Sequence, residues 1–273
     1  MSHSLNAFAT SIRRALPRAG THASHALGWF AVVAAGSLLA AASCAAEPRS
    51  EEGLLLRPGE WRQDVGSYLL PAGLQGQPQH WPLDGWYRVT HKTGLLDVRA
   101  VKKPAQGLPG FLHDIAVQVT DPSVQDMVAD AAEAIDTQYI RVPGARLTEG
   151  HVPTVRFSNT ALRPRLGHPY ALQLGDTSFT LTVHNGLRSK AGVAYGQGAQ
   201  YVVTYGGATY TYLLGEFGWD SIVQAVADLD GDGKPDFIVH VGGSNRSDEF
   251  LLLSTRARPG LNQPTATLSA QGC

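Results

Sequence analysis

Four aspartates stand at positions 1, 3, 5 and 9 of one short stretch, Asp228-Leu229-Asp230-Gly231-Asp232-Gly233-Lys234-Pro235-Asp236. In a tight loop alternate side chains turn to the same side. Asp228, Asp230, Asp232 and Asp236 would therefore offer their oxygens to one centre, and Lys234, at position 7, would add its main-chain carbonyl. A calcium ion takes six to eight oxygens at flexible distances, which such a loop supplies. Gly231 and Gly233 permit the backbone angles of the bend. Two carboxylates 4 Å apart repel by about 4 kcal/mol at an effective dielectric near 20, so the loop needs a cation to stay closed. Magnesium demands octahedral geometry and keeps its waters. Zinc prefers nitrogen and sulfur ligands, which the stretch lacks. The alternative is a solvated Asp/Gly turn that holds no metal.

The flanks decide which kind of loop this is. An EF-hand needs a bidentate Glu at position 12 and a helix behind it. Here position 12 is Val239, and Phe237-Ile238-Val239-His240-Val241 reads as a strand. With strands on both sides, the stretch resembles the calcium loop of FG-GAP repeats (also called VCBS or integrin-α-like repeats), where D-x-D-G-D-G-x-x-D joins two strands of a propeller blade. The resemblance implies Asp228, Asp230, Asp232 and Asp236 as side-chain ligands and Lys234 as a carbonyl ligand. It spans about residues 222 to 253 and occurs once, and no period of 20–50 residues repeats, so a complete propeller is not implied. The tail, with Leu251-Leu252-Leu253-Ser254 and a closing Gly272-Cys273, is similar to bacterial exported proteins that combine a β-rich body with one terminal loop of this kind. That similarity implies no activity.

The elements that position the loop are mostly strands. Trp86–Val89, a Lys92-Thr93-Gly94 turn and Leu95–Val101 form one expected hairpin. Tyr170, Leu172 and Leu174 share one face of a strand; Gly175-Asp176 turns the chain; Phe179, Leu181 and Val183 share a face of the next, and Asn185-Gly186 supplies another two-residue turn. A Gly206-Gly207 turn would set Tyr201 opposite Tyr212, Val203 opposite Tyr210 and Thr204 opposite Thr209. The tyrosine row is read as a packed sheet face rather than a sugar-lining surface. One helix is expected after Asp121-Pro122, from the spacing of Val124, Met127, Val128, Ala131 and Ile135. The expected fold is mainly β: antiparallel sheets in a sandwich or partial barrel, one short helix, and a propeller-blade-like calcium hairpin near the C-terminus.

The first 46 residues carry Arg13, Arg14 and Arg18, no acidic residue, and then an apolar run from Leu27 to Ala42. That is the order of an export signal, and the run is short of the roughly 20 residues a membrane-spanning helix needs. Leu38-Leu39-Ala40-Ala41-Ala42-Ser43-Cys44 resembles a lipobox, which would make Cys44 a lipidated first residue and a membrane attachment; cleavage after Ala42 or Ala46 is the alternative. Residues 47–60 read as a flexible tether, 61–145 as an N-terminal mostly β region and 146–273 as a C-terminal β region containing the loop 228–236. Without the leader, 19 basic residues of the 22 face all 23 acidic ones. No basic stripe exists to neutralise phosphates, so nucleic acid is excluded as a partner. Two cysteines, Cys44 and Cys273, cannot build a disulfide framework; whether they pair depends on the fate of Cys44. The expected location is exported: periplasmic, anchored at the outer membrane, or extracellular.

Enzyme signatures are missing. There is no G-x-S-x-G, no H-E-x-x-H, no phosphate-cradling G-x-x-x-x-G-K and no dinucleotide fingerprint. The histidines after the leader (His80, His91, His113, His151, His168, His184 and His240) are scattered and read as surface or turn residues. Asp97, Asp114, Glu216 and Asp220 are candidates for a glycosidase-like carboxylate pair, but spacing singles out none of them. The reading is an exported calcium-binding β protein of the cell envelope, a non-catalytic binding or interaction module for an envelope or extracellular ligand. The alternative is an exported hydrolase of glycans or peptides with the same structural calcium site.

Overall fold

The computed structural model describes residues 52–59, 61, 68–121, 136–184, 199–215, 221–242 and 246–271. In chain order its strands are β1 (Gly53–Leu56), β2 (Tyr68–Leu69), β3 (Trp86–Lys92), β4 (Leu95–Ala100), β5 (Thr137–Arg141), β6 (Gly150–Pro153), β7 (Tyr170–Leu174) and β8 (Thr177–His184). Then follow β9 (Ala199–Tyr205), β10 (Ala208–Leu214), β11 (Ile222–Ala227), β12 (Asp236–Gly242), β13 (Arg246–Leu252), β14 (Gly260–Asn262) and β15 (Ala266–Gln271). Helix α1 (Gly110–Thr120) lies between β4 and β5.

Ten strands form one sheet in the order β11-β12-β13-β15-β1-β5-β3-β4-β6, with β2 also paired to β15; a second sheet runs β14-β10-β9-β8-β7. Neighbours are antiparallel except β1 beside β15 and β10 beside β14. The edges of the large sheet meet. Thr154 bridges Ala227, Leu162 bridges Val223, and Val155 N–H donates to the Val226 carbonyl at 2.8 Å. Thr148 N–H reaches the Leu229 carbonyl at 2.7 Å. The sheet is thus nearly closed into a barrel, which satisfies strand edges that would otherwise invite pairing with another chain.

Register sorts the side chains. Ile238 pairs with Leu251 and Leu251 with Ala266, and on the facing wall Leu55 pairs with Ile140 and Val89 with Val98. These residues fill the barrel and are buried. The alternate residues of β11–β13, among them Val223, Val226, Phe237, Val239, Phe250 and Leu252, point outward into a second core against the small sheet. There Phe179 meets Phe237 edge-on at 5.9 Å. On the other flank α1 covers the barrel wall: Phe111 stacks on Tyr139 at 3.9 Å and meets Trp86 edge-on at 5.1 Å.

The mainly β architecture with antiparallel sheets matches the expectation, and so do several hairpins. The Gly206-Gly207 turn sets Tyr201 opposite Tyr212, Val203 opposite Tyr210 and Thr204 opposite Thr209. Tyr201 and Tyr212 are buried in the second core, as a packed face requires. Two readings need correction. Gly53–Leu56, assigned to a tether, form β1, a fully buried strand between β15 and β5. Its Gly-Leu-Leu-Leu run is short and apolar, as a strand buried on both faces must be. The regions 61–145 and 146–273 share the large sheet, because β13 and β15 sit beside β1. Helix α1, Gly110–Thr120, is an element that the sequence reading did not anticipate. The expected helix after Asp121-Pro122, the Asn185-Gly186 turn, Glu216, Asp220, Cys44 and Cys273 lie outside the described residues.

Candidate functional site

The aspartate loop joins β11 to β12 at one end of the barrel. Gly231 and Gly233 adopt φ of +77° and +78°, the left-handed conformation that glycine accepts without strain. Carboxylate oxygens of Asp228, Asp230 and Asp236 come within 4.8 Å of one another. Asp228 and Asp230 each have one oxygen tied into the fold. Asp228 Oδ2 accepts from Gly233 N–H at 3.0 Å, and Asp230 Oδ2 accepts from the Thr255 hydroxyl. Asp228 Oδ1 and Asp230 Oδ1 are buried and have no hydrogen-bond partner.

Asp236 is fully buried and acts as a latch. Its Oδ2 accepts from Leu229 N–H at 2.7 Å and Asp230 N–H at 3.3 Å, and its Oδ1 accepts from Ser254 N–H at 2.7 Å. One side chain thereby ties the loop to the end of β13. Burial, reinforced by the negative charge of Asp230, pushes the Asp236 carboxyl up to about 8 despite the amides of Ser254 and Leu229. Burial also raises Asp230. A set of carboxylates this close, with two orphaned oxygens, fits a hard cation that accepts oxygen ligands.

Asp232 is placed differently. Its Oδ1 accepts from Lys234 N–H and the Ser254 hydroxyl, each at 2.9 Å, and its Oδ2 pairs with Lys234 Nζ at 2.9 Å. Burial works against its charge, but the Lys234 and Ser254 bonds win and hold the carboxyl below its ordinary value. So the structure brings together Asp228, Asp230 and Asp236 of the expected ligand set, while Asp232 faces the ammonium of Lys234. The loop is also tied to its surroundings through Thr177, whose hydroxyl donates to the Gly233 carbonyl at 2.8 Å.

A second polar group, unforeseen in the sequence, lies inside the barrel at the other end of β11–β13. Glu249 is its hub. Arg57 Nε stands 2.9 Å from Glu249 Oε2, and Gln138 Nε2 donates to the same oxygen at 3.1 Å. Gln138 Nε2 also reaches Gln224 Oε1 at 3.1 Å, and Arg57 Nη2 reaches it at 3.4 Å. His240 Nδ1 lies 3.7 Å from Glu249 Oε1. Burial lowers the affinity of His91 for a proton, so it sits there as neutral imidazole. The reading of His91 and His240 as surface residues is therefore wrong: both point inward from barrel strands. The available signal was a pair of carboxylates, Asp248 and Glu249, directly before the apolar Phe250-Leu251-Leu252 of β13, which alternation sends to opposite faces.

Asp97 and Asp114, the other carboxylates considered, do not come together as a pair. Asp97 faces outward from β4 between Lys92 and Arg99, and Asp114 stands on α1 beside His113. No family model matches the chain, and no curated protein or solved structure shows significant similarity to it.

Proposed function

We propose that the chain is a calcium-braced β-barrel of the cell envelope, a non-catalytic binding module in which an FG-GAP-type loop holds the metal. The observation that carries the metal is the convergence of Asp228, Asp230 and Asp236 within 4.8 Å, with Asp228 Oδ1 and Asp230 Oδ1 buried and unpaired. Ionised carboxylates at that spacing repel by roughly 3–4 kcal/mol per pair at an effective dielectric near 20, before water screens them, and without a cation Asp236 escapes this by holding its proton. A divalent ion removes that repulsion and fills the orphaned lone pairs. Asp232 and the Lys234 carbonyl complete the shell once the cation outcompetes the Lys234 ammonium for Asp232. The export signal, with or without lipidation at Cys44, places the module where free calcium is millimolar and weak sites suffice.

The metal's role is structural. Extracellular modules bind calcium with dissociation constants of about 10⁻⁴–10⁻³ M. Calcium at tenfold excess over such a constant stabilises the fold by about 1.4 kcal/mol. The test is thermal melting with and without calcium for the wild type and Asp230→Ala. The wild type melts higher in calcium and the variant does not respond; an equal response in both refutes the ligand assignment.

A further inference from the structure

The polar group inside the barrel opens to the surface at the end away from the aspartates, as a cavity of about 300 Å³. Arg57, Tyr68, Gln224, His240, Ser247 and Glu249 line its polar side, and Ile222 and Leu268 its apolar side. We propose that this barrel mouth binds one uncharged sugar residue, gripped through neighbouring hydroxyls by Glu249, Arg57 and Gln224. The inference builds on the non-catalytic binding reading above and supplies its ligand class; it does not depend on the calcium assignment.

Stability alone gives little reason for such a polar group inside a barrel. A buried ion pair with its attendant amides is generally no more stable than apolar side chains of the same volume, and the rest of the barrel interior is apolar. Concave sites of this type, mostly apolar with a few convergent polar groups, are where small ligands bind, and barrel mouths are among their preferred places. A barrel of about this many strands encloses room for one small molecule.

The chemistry of the floor selects the ligand. Arg57 and Glu249 lie 2.9 Å apart with side chains only 13% and 6% exposed, so their charges cancel in a largely desolvated site. An anion or cation entering there would leave a charge uncompensated or split the pair, and both are strongly unfavourable. The remaining groups alternate in character: Glu249 only accepts, Arg57 only donates, and Gln224 and Ser247 do both. Burial raises the Tyr68 phenol further above its ordinary range, so it stays neutral. Sugar hydroxyls donate and accept at once, and adjacent ones span a planar carboxylate, amide or guanidinium. Ile222, Leu268 and the Tyr68 ring offer the apolar surface that the C–H face of a sugar covers. A purely apolar ligand would leave the polar floor without partners, which is costly.

The full chain is titrated by calorimetry, with ligand-observed NMR in parallel, against glucose, galactose, mannose, N-acetylglucosamine and their methyl glycosides. At least one binds, with a dissociation constant on the order of millimolar or tighter. Gln224→Ala leaves the Arg57–Glu249 pair intact and weakens that sugar about tenfold or more, and Glu249→Gln does the same if it folds. Thr209→Ala, exposed on β10 of the small sheet, leaves the affinity within about twofold. Absence of binding by every neutral sugar at about 50 mM overturns the proposal. So does affinity that Gln224→Ala does not change, or preference for glucuronate or a free amino acid over the neutral sugars. Hydrolysis of a bound glycoside supports the sugar site and refutes the non-catalytic reading, whereas a wild type whose melting does not respond to calcium refutes only the metal assignment.

Discussion

Replacing Asp236 by Asn separates the two tasks of this carboxylate. It receives three backbone N–H groups, Leu229 and Asp230 at Oδ2 and Ser254 at Oδ1, and it contributes to the proposed metal site. A carboxamide keeps one acceptor oxygen and turns its own N–H₂ toward donors at the other position. At least one buried amide then loses its acceptor, a cost of about 1–3 kcal/mol. Little repulsion is relieved in exchange, because the metal-free carboxyl, pushed up to about 8, is already mostly protonated at neutral pH. The second loss is the cation, worth about 1.4–2.7 kcal/mol at ten- to hundredfold excess over the dissociation constant. A domain of this size loses about 2–4 °C of melting temperature per kcal/mol. The variant should therefore melt about 2–12 °C below the wild type in chelator and about 5–20 °C below it in calcium. Asp228→Asn is the control. Its Oδ2 accepts a single bond, from Gly233 N–H at 3.0 Å, which the carboxamide oxygen retains, so it should melt like the wild type in chelator and lose only the calcium shift. Calorimetric melts of the three proteins in both conditions decide the matter. An Asp236→Asn protein that melts with the wild type in chelator would show that the latch carries no stability.

The raised Asp236 carboxyl also predicts a proton balance. The metal-free folded state binds a proton between the unfolded value near 4 and the folded value of about 8, so its stability falls as pH rises through that window. Calcium uptake at pH 7 should release close to one proton, read by calorimetry in buffers of different ionisation heat, and an uptake without proton exchange would contradict the assigned protonation. Gly53→Ala would drive a Cβ to 2.6 Å from the Thr265 carbonyl oxygen; separation of β1 from β15 should cost about 1–3 kcal/mol in urea unfolding. Bonds from Arg99, with its charge and that of Lys92, hold the Asp97 carboxyl below its ordinary value. Asp97→Asn should thus destabilise the protein above pH 4–5, with the difference from wild type vanishing as pH falls through the folded value in acid-denaturation curves.

The parts of the fold that could be read from the sequence are those fixed by local contacts. The Gly206-Gly207 hairpin and its cross-strand pairs depend only on a two-residue turn and on alternation, and the register follows. The aspartate loop was visible for the same reason, because its ligands come from nine consecutive residues. What was hidden depends on strands far apart in the chain. Gly53–Leu56 is a short apolar run among polar residues, and it becomes a central strand only through β15 and β5. The signal for α1 was present in Pro109 followed by Phe111, Leu112, Ile115 and Ala116, spaced to face the barrel wall. The barrel-mouth group combines Arg57, Gln138, Gln224 and Glu249, and even the Arg57–Gln224 contact spans 167 positions. No spacing rule links residues that only closure of the sheet brings together.

Strands β11, β12 and β13 carry buried charge at both ends and resolve it in opposite ways. At the loop end the nearest ammonium, Lys234, is engaged by Asp232, so Asp228, Asp230 and Asp236 have no protein cation among the described residues, and the proposed metal would supply the missing positive charge. At the mouth Glu249 has Arg57 as a permanent partner, and the charge is balanced within the fold. The two ends therefore answer differently to a chelator. Withdrawal of the metal raises the energy of the loop and, through the Asp236 bond to Ser254, slackens the end of β13. It leaves the Glu249–Arg57–Gln224 group with the same donors and acceptors. The proposed cation thus acts on the mouth only by keeping the barrel wall folded. At temperatures well below the melting transition, chelation should leave sugar affinity unchanged, and a drop in affinity without unfolding would require a coupling along these strands that the separate charge balance at each end gives no reason to expect.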